Sequence, residues 1–379
     1  MSASKPMAVV VGSGLNALGI IRSLAVAEVP TLMLFADTDP TVHTRHARKQ
    51  RIASTEGDVL IDALRSIAVR NPDKPVLFLT EEKSVSTVSE RRDEIQPHFR
   101  IVLPEKRLLA ALMHKQGFQD LANLHGSAVP PAVRLRGEAD LPALATLRFP
   151  CVLKPAVKDY GYGAKFKKAY VVQSAAEAAD LFREIAPVMS DLIVQEWIEG
   201  NDSDIYFCLQ YIGRNGEVVA SFSGRKIRSW PPRIGGTASC TSAPEFHREL
   251  QSMTAIFFQQ VGFIGMGSME YKRDPRDGRF YMVEPTVGRT DFQEEVATVN
   301  GTNIPLAAYY HELGQALPDA SYRSPPRVWR EPVTDRWSAQ LQPEITQPAG
   351  TTVDAYWRLN DVMPGLSLFL ERITSRLSR

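Results

Sequence analysis

Residues 269–289, MEYKRDPRDGRFYMVEPTVGR, contain two candidate strands on either side of a turn rich in proline, aspartate and glycine. The pattern predicts an antiparallel hairpin, in which we expect Lys272 to pair with Phe280. In that register Glu270 and Glu284 lie one diagonal step apart on the same face, because side chains alternate with period two. Two such carboxylates repel each other unless a cation lies between them, and Mg²⁺ prefers hard oxygen ligands. By itself the pattern favours a surface hairpin carrying two solvated glutamates, with a metal site as the alternative that the rest of the chain then favours.

The composition limits the classes of protein to consider. The chain has 379 residues, which suits two or three domains, and its formal net charge is +1. We therefore expect neither a nucleic-acid-binding surface nor a membrane-surface patch. No apolar run reaches the roughly 18 residues of a membrane span, and no signal peptide is evident. The three cysteines lack the spacing of a metal site and suit a reducing compartment, so we expect a cytoplasmic protein.

Residues 7–35 predict a strand, a glycine turn, a helix and a second strand, which together form a βαβ unit. Gly12, Gly14 and Gly19 do not have the G-x-G-x-x-G spacing of a dinucleotide-binding turn. A nicotinamide-dependent oxidoreductase is therefore the less favoured interpretation. A small-molecule or carboxylate contact at the N-terminus of the helix, around Gly12–Asn16, is the better one.

The remaining pattern predicts helices and strands along the whole chain. We expect helices at 58–70, 84–94, 105–125, 140–147, 175–189, 244–261, 303–313 and 364–377, and strands at 75–80, 99–104, 149–153, 170–172, 192–195, 205–211 and 217–222. The last two strands are expected to pair through the turn at Gly213–Gly216. The tail from residue 319 has no chemical motif, and packing or dimerisation is its expected role.

Lys154 follows a predicted buried strand that Pro155 ends, which places the ammonium group at the edge of the strand. The next segment, 156–168, is rich in glycine and lysine. Such a loop can fold over phosphate groups with its backbone N–H groups and its positive charges. A solvated hairpin tip fits the same composition, and the segment lacks the G-K-[ST] opening of a P-loop.

Two further stretches are candidates for ligand contacts. Arg225, Lys226, Arg228 and Arg233 lie in what we expect to be a mobile loop. There they would form either a solvated face or a clamp for phosphate or carboxylate groups. Residues 195–198, QEWI, place an aromatic and an aliphatic side chain beside acidic ones.

The order of these features resembles the ATP-grasp superfamily, and within it the predicted carboxylate–amine ligases similar to D-aspartate ligase. The resemblance covers about residues 7–315. It implies an α/β protein with the ATP-grasp fold, α+β in its nucleotide domain, behind an N-terminal pre-ATP-grasp domain that is Rossmann-like. It also implies a pre-ATP-grasp domain at 1–105, a small lid subdomain at 106–195, a metal-binding catalytic subdomain at 196–318 and a C-terminal extension at 319–379.

The resemblance also implies a role for individual residues. Lys115 stands where the family has its first nucleotide lysine, although the usual Asp-Lys is His114-Lys115 here. Asp202 matches the acid that binds the ribose hydroxyls, and Asp204 is a near alternative. The full set comprises Lys115, Lys154, Lys165, Gln195, Glu196, Trp197, Ile198 and Asp202 for the nucleotide, Glu270, Glu284 and Thr286 for the metal, and Arg289, Lys226 and Arg228 for catalysis.

The metal strand departs from the family pattern. The family usually has Glu-x-Asn, whereas this chain has Glu284-Pro285-Thr286, and a threonine hydroxyl is a poorer Mg²⁺ ligand than an asparagine carbonyl. The resemblance implies ATP with Mg²⁺ or Mn²⁺, a small-molecule carboxylate and an amine as substrates, an acyl-phosphate intermediate, and a homodimer as a family-level expectation. Because of Thr286, a catalytically weakened, nucleotide-binding regulatory module stays open as an alternative. Delivery of the acyl phosphate to another nucleophile, such as a thiol, is another.

Overall fold

The computed structural model describes residues 5–156, 165–167, 169–291 and 294–377. Its strands are β1 Ala8–Val11, β2 Thr31–Phe35, β3 Arg48–Arg51, β4 Val76–Leu79, β5 Ala132–Leu135, β6 Cys151–Pro155, β7 Tyr170–Val172, β8 Leu192–Glu196, β9 Ile205–Ile212, β10 Val218–Trp230, β11 Gly236–Ser242, β12 Gly265–Arg273, β13 Phe280–Val287, β14 Val328–Arg330 and β15 Thr352–Asp354. Its helices are α1 Gly14–Ala25, α2 Gly57–Arg70, α3 Glu82–Glu90, α4 Arg92–Ile95, α5 Lys106–Met113, α6 Lys115–Leu124, α7 Ala175–Ile185, α8 His247–Val261, α9 Glu294–Val299, α10 Ile304–Glu312, α11 Pro332–Leu341 and α12 Met363–Leu377. None of the described helices is both long enough and apolar enough to cross a membrane.

The chain divides into two units that do not follow the order of the sequence. Unit 1 comprises Met1–Leu109, Tyr206–Ser268 and Thr286–Arg379. Unit 2 comprises Ala110–Ile205 and Met269–Pro285. The four-part division that the resemblance implies stays a prediction.

The N-terminal part of unit 1 is a parallel sheet with the strand order β3-β2-β1-β4. Thr31 of β2 and Val76 of β4 both align with Ala8 of β1. All four side chains of β1 are buried, which explains its uninterrupted apolar sequence. Helix α1 packs its apolar residues into the same core. The predicted Rossmann-like half is confirmed.

Three details of this region differ from the prediction. The apolar pattern misses β3, because its sequence RKQR is polar and mostly exposed at the edge of the sheet. The predicted strand at 99–104 is wrong, since the described segment forms only a bridge between Val76 and Arg100. The predicted helix at 84–94 is two helices, α3 and α4, which meet at Arg91.

A second sheet has the strand order β13-β12-β9-β10-β11-β14-β15. Strands β9 and β10 form the predicted antiparallel pair around Gly213–Gly216. The prediction of a mobile loop is wrong for Arg225, Lys226 and Arg228, because these residues lie within β10 and pair with β11. The register shifts on passing from Lys226 to Arg228, as at a β-bulge. A run of basic residues has no apolar alternation, so only the pairing identifies it as a strand.

Unit 2 is built on an antiparallel sheet in the order β5-β8-β6-β7. Its core contains Cys151 and Leu153 of β6, Val172 of β7 and Val194 of β8, together with Phe182 of α7. Strand β7 has the predicted bounds, and β6 and β8 lie within two residues of theirs.

The predicted helix at 105–125 is interrupted between α5 and α6. The backbone of His114 is extended, with φ of −97° and ψ of 123°, and its Nδ1 accepts a hydrogen bond from the backbone N–H of Gly117 at 3.3 Å. A Cβ at position 117 would lie 2.4 Å from the carbonyl oxygen of Ala111. The close approach of these two turns therefore requires glycine, and it makes Lys115 the first residue of α6.

The C-terminal extension is part of the core of unit 1. Strands β14 and β15 lengthen the second sheet. Asp361 is fully buried and accepts hydrogen bonds from Arg22 Nε and Thr44 Oγ1, both at 2.9 Å. Trp329 is also fully buried, and its Nε1 donates to Glu295 Oε2 at 2.9 Å. Packing, the first of the two roles expected for the tail, is what the structure shows.

Candidate functional site

A hydrogen-bond network in unit 2 positions Lys154. Gln195 on β8 lies opposite Val152 on β6, so Lys154, two residues further along β6, points to the same face. The Lys154 ammonium group donates to Gln195 Oε1 at 2.8 Å. Gln195 Nε2 in turn donates to Gln119 Oε1 at 3.2 Å. Two strands and helix α6 therefore fix the orientation of this lysine.

Lys115 belongs to the same arrangement through its helix. It begins α6, and Gln119 lies four residues later on the same helical face. Because Gln119 is hydrogen-bonded to Gln195, the helix that carries Lys115 is attached to the strand that orients Lys154. The sequence does not reveal this connection, since glutamine has no distinctive spacing.

Residues 195–198 run from the end of β8 into the following segment. Glu196 Oε1 accepts a hydrogen bond from the backbone N–H of Arg148 at 2.9 Å. Ile198 is buried and Trp197 is half-buried. The carboxylate of Glu196 thus holds neighbouring backbone, and a contact of Trp197 and Ile198 with a ring stays a prediction.

Asp202 and Asp204 occupy a short 3-10 turn after this segment. Asp202 is fully buried, whereas Asp204 is half-buried and its Oδ2 accepts from the backbone N–H of Asn201 at 2.7 Å. The carbonyl of Asn201 accepts from Lys272 Nζ at 2.7 Å, which attaches the turn to β12. Asp204 is therefore the more accessible of the two acids.

The predicted phosphate loop at 156–168 lies mostly outside the described residues. Lys165 is described and exposed. The ammonium group of Lys167 lies 5.9 Å from the centre of the Tyr170 ring. The role of this loop stays a prediction.

The hairpin of β12 and β13 is confirmed, but its register differs from the predicted one. The backbone N–H of Asp274 donates to the carbonyl of Arg279 at 2.8 Å and closes the turn. The rings of Tyr271 and Phe280 meet edge to face with their centres 6.3 Å apart. Phe280 therefore shares a face with Tyr271 and not with Lys272, because the closing bond of the turn sets the register.

The two predicted metal carboxylates lie on these strands, with Glu270 half-buried and Glu284 exposed. Strict alternation would bury Glu284 like Met282, yet Pro285 is the buried residue. The alternation of buried and exposed side chains thus changes phase between Met282 and Pro285. Strand β13 lies at the edge of its sheet, where proline is tolerated. Because of this change, sequence periodicity alone does not determine the direction of Glu284.

In unit 1, Thr286 and Arg289 share an acidic partner, Asp291, which is not among the site residues that the resemblance implies. Thr286 Oγ1 donates to Asp291 Oδ2 at 3.1 Å, and Arg289 Nη1 donates to Asp291 Oδ1 at 3.2 Å. Arg289 Nη2 also donates to Glu82 Oε1 at 3.3 Å. The position of Asp291, two residues after Arg289, is a signal that could have identified it. Glu82 lies 207 residues away from Arg289, and only the tertiary structure reveals it.

Lys226 and Arg228 are both buried on β10. Lys226 lies opposite Cys240 on β11. Arg228 Nη1 donates to Asp335 Oδ1 at 3.1 Å, and Nη2 donates to the carbonyl of Ile345 at 2.5 Å. The structure therefore connects Arg228 to the C-terminal extension, although the sequence suggested a phosphate or carboxylate clamp.

The three cysteine thiols are free and buried. Burial raises the pKa of Cys151 to about 11, and the Glu196 carboxylate adds to the rise. Burial also raises the pKa of Cys208 and Cys240 above the ordinary value. A protonated thiol is a weak nucleophile, so none of these cysteines is poised for covalent catalysis at neutral pH.

Comparison with known proteins gives relatives in sequence and in structure, although no protein-family model matches the chain. D-aspartate ligase of Enterococcus faecium (strain Aus0004) is 23% identical over 314 residues, which cover 78% of this chain and 74% of that protein. N5-carboxyaminoimidazole ribonucleotide synthetase in its ADP complex superposes with a TM-score of 0.64 and 13% identity, over 85% of this chain and 81% of that one. The biotin carboxylase domain dimer of Hydrogenobacter thermophilus 2-oxoglutarate carboxylase, bound to MgADP, has a TM-score of 0.62 and 14% identity, over 83% and 71%.

Proposed function

We propose that this chain, an ATP-grasp protein by its fold, is an ATP-dependent ligase that joins a carboxylate to an amine and releases ADP and phosphate. The fold predicted from the sequence is confirmed by the solved structures that the chain matches. The observation that carries the proposal is the likeness to D-aspartate ligase, which extends over 78% of this chain and 74% of that protein. Both comparisons support an ATP-dependent ligase that forms carbon–nitrogen bonds.

Unit 2 supplies the residues that we assign to the phosphates of ATP. Lys154 is oriented by its 2.8 Å hydrogen bond to Gln195, and Lys115 begins the helix attached to that glutamine. Two ammonium groups would offset the negative charge of the phosphates in this role. Lys165, which is exposed beside the predicted loop, is assigned as a third phosphate contact.

The nucleoside is assigned to the segment after β8. Trp197 and Ile198 would contact the adenine ring with apolar surface. Asp202 remains the acid implied by the resemblance for the ribose, and Asp204 is the alternative favoured by its greater exposure.

Glu270, Glu284 and Thr286 are the residues that we assign to Mg²⁺. Their oxygens are hard donors, and the exposed carboxylate of Glu284 can be reached by a metal–nucleotide complex. Within the described ranges no three His, Cys, Asp or Glu side chains are grouped to hold a metal by themselves. The donor set therefore fits an ion that takes its other ligands from phosphate and water. When bound, Mg²⁺ would neutralise charge on the transferring phosphoryl group.

The proposed reaction has two covalent steps. A carboxylate oxygen attacks the γ-phosphorus of ATP, and the bond from that phosphorus to the β–γ bridging oxygen breaks. The products of this step are an acyl phosphate and ADP. An amine nitrogen then attacks the acyl carbon and loses a proton. Inorganic phosphate is released as the leaving group, and the product is an amide. Arg289 is assigned to orient the carboxylate, and Lys226 to contact a phosphoryl oxygen. The bonds of Arg228 to the C-terminal extension favour a structural role for that residue.

A thermal-shift titration of the full chain tests the nucleotide assignment. A ligand at about a hundred times its Kd stabilises a fold by roughly 2.7 kcal/mol. We expect MgATP to raise the unfolding midpoint, ATP with EDTA to raise it less, and NAD to leave it unchanged. Stabilisation by NAD alone would assign the function to the N-terminal βαβ unit and overturn the proposal.

The metal assignment is tested by measuring the rate of ADP release by the full chain in the presence of candidate carboxylates and amines. We expect Glu284→Ala to lower the rate by at least about a hundredfold, as for loss of a group that stabilises transition-state charge, and to remain folded. Glu184→Ala, at an exposed position of α7, is the control and should retain full activity. Full turnover by Glu284→Ala would contradict the assignment.

A weakened regulatory module is the second candidate, and Thr286 is the observation that favours it. Its hydroxyl donates to Asp291 at 3.1 Å, and it occupies the position where the family usually has asparagine. Thr286→Asn in the ADP-release assay separates the two functions. A gain in turnover supports the weakened module, whereas a loss supports an active site adapted to threonine.

A further inference from the structure

Helix α12, at the end of unit 1, packs on the rest of the unit through one face. It contacts the 3-10 turn Pro40–His43, with Pro364 and Gly365 buried and Leu368 half-buried. A Cβ at position 365 would lie 2.3 Å from the ring of Trp357, so the helix approaches the preceding segment closely. This packing leaves another side of the helix facing solvent.

The side of α12 that faces solvent is also apolar, and together with the segment before the helix it forms what we call the α12 stripe. The stripe comprises Trp357, Leu359, Val362, Met363, Leu366, Phe369, Leu370 and Ile373. Each of these residues is at least 39% exposed, and Leu359 is completely exposed. Residues 362–370 include no charged residue. A helix that is apolar on more than one side is normally buried, so the stripe calls for a partner.

The spacing of the α12 stripe is that of a seam between two packed helices. Val362, Leu366, Phe369 and Ile373 follow one another at intervals of four, three and four residues. Apolar residues at these intervals are the a and d positions of a helix pair, where each side chain inserts between side chains of the facing helix. The pattern therefore favours a helix as the partner of the stripe.

The area of the α12 stripe matches the contact surface of a stable dimer. Its exposed fractions amount to roughly four whole side chains, or about 800 Å² at about 200 Å² for each large apolar side chain. The largest apolar patch of a monomeric protein is typically about 300–600 Å². A standard protein–protein interface buries about 800 Å² on each partner. The stripe therefore exceeds what a monomer usually exposes and supplies the area that one side of a dimer needs.

A lipid surface fits the α12 stripe less well than a protein does. Helices that lie on membranes have lysine and arginine beside their apolar face, and these residues are attracted to anionic lipids. Arg372 is the first basic residue of α12, and Glu371 directly precedes it with the opposite charge. The formal net charge of the whole chain is +1, which adds no general attraction to an anionic surface.

We propose that the α12 stripe binds the α12 stripe of a second copy of this chain, around a two-fold axis. Such an axis brings the same patch of both copies together, so a seam of helix spacing on one copy meets an identical seam on the other. The stripe lies beyond residues 7–315, which the family resemblance covers, and within unit 1. The inference therefore does not depend on the proposed ligase function.

Analytical ultracentrifugation of the full chain without nucleotide tests the association. The protein is measured between about 1 and 100 μM, because interfaces of this size bind in the micromolar range or more tightly. We expect a species with twice the mass of one chain, whose proportion rises with concentration. The unfolding midpoint should also rise with protein concentration, since association stabilises the folded chain by mass action.

Two variants connect the association to the stripe. Leu366→Glu and Phe369→Glu each place a charge in the seam and should weaken the dimer at least about thirtyfold, as for loss of an interface hot spot. Both side chains are exposed in the single chain, so the far-ultraviolet circular dichroism spectrum should stay that of the wild type. Ile256→Glu is the matched control, because Ile256 on α8 is 54% exposed like Phe369, and it should leave the dimer intact.

Three outcomes would overturn the inference. A wild-type chain that stays monomeric over the whole concentration range is the first. A dimer that both Leu366→Glu and Phe369→Glu leave intact is the second, because another surface would then form it. The third is a monomeric wild type that binds vesicles of phosphatidylcholine and phosphatidylglycerol and loses this binding in both variants, which would assign the stripe to a lipid surface.

Discussion

Glu294, the first residue of α9, is a carboxyl group enclosed in the core of unit 1. It is fully buried, with its oxygens 3.4 Å from Ser23 Oγ and 3.5 Å from Thr298 Oγ1. Burial raises the pKa of Glu294 to about 8, and the neighbouring Glu295 carboxylate adds to the rise. The hydroxyls of Ser23 and Thr298 donate to this carboxyl group and oppose the rise in its pKa, but the group is still mostly protonated at neutral pH.

The shift predicts how the stability of the protein depends on pH. The pKa of Glu294 is about 8 in the folded chain and near its ordinary value of 4.5 in the unfolded chain, so the free energy of unfolding falls as the pH rises through this window. Glu294→Gln keeps the shape and cannot ionise. It should match the wild type below about pH 4.5 and exceed it above pH 8 by on the order of a few kcal/mol.

Urea denaturation midpoints on both sides of the window measure this difference. Glu249→Gln, exposed on α8, is the control and should have the wild-type profile above about pH 5. A constant offset between Glu294→Gln and the wild type at every pH would contradict the expected ionisation.

Among the elements, the junction of α5 and α6 has the clearest consequence for the site. Helix α6 begins at Lys115 because His114 is extended and Gly117 approaches the carbonyl of Ala111. The same helix carries Gln119, which contacts the strand that orients Lys154. Local backbone geometry thus places Lys115, one of the lysines proposed to contact the nucleotide, at the first position of α6.

Gly117→Ala tests this junction. The added Cβ would lie 2.4 Å from a backbone oxygen that a side-chain rotation cannot relieve. We expect a loss of stability of roughly 1–3 kcal/mol from the overpacking and a weaker MgATP affinity, measured by thermal shift with and without nucleotide. Gly137→Ala, where a Cβ meets open space, should change neither quantity. Wild-type behaviour of Gly117→Ala would show that the junction can relax.

At the scale of the whole molecule, the C-terminal extension is connected to the N-terminal sheet by buried charges. Arg22 of α1 donates to Asp361 and to the carbonyls of Ala355 and Tyr356, at 2.9, 2.6 and 3.0 Å. Arg358 Nη2 lies 2.9 Å from Glu295 Oε1. Removing one member of such a network leaves its partner charged and buried.

Asp361→Asn should therefore lower the free energy of unfolding by about 1.5–3 kcal/mol, because Arg22 loses a charge-assisted hydrogen bond while its second carboxylate, Glu295, stays 3.6 Å away. Chemical denaturation of the full chain measures the change. Asp319→Asn, exposed on the same extension, should have no measurable effect. A small effect of Asp361→Asn would show that the extension contributes little to the stability of unit 1.

Much of the architecture could be predicted because its signals are local. The apolar runs of β1, β2 and β4 and the glycine turn before α1 specify a βαβ unit from short segments of sequence. The order of lysines and carboxylates was sufficient to identify the ATP-grasp fold. The roles of the individual site residues are proposals, and their environments are what the structure adds.

The remaining features depend on contacts between distant residues. Strand β10 is a strand because β9 and β11 pair with it, and its buried Arg228 has its partner Asp335 107 residues away. Glu82 reaches Arg289 across 207 residues, and Asn16 reaches Thr290 across 274. Periodicity records which side chains prefer burial, and it carries no information on which polar groups meet. The sequence alone therefore determined the class of fold and the candidate chemistry, while the tertiary structure decided which charges are paired and which polar atoms are buried without a partner.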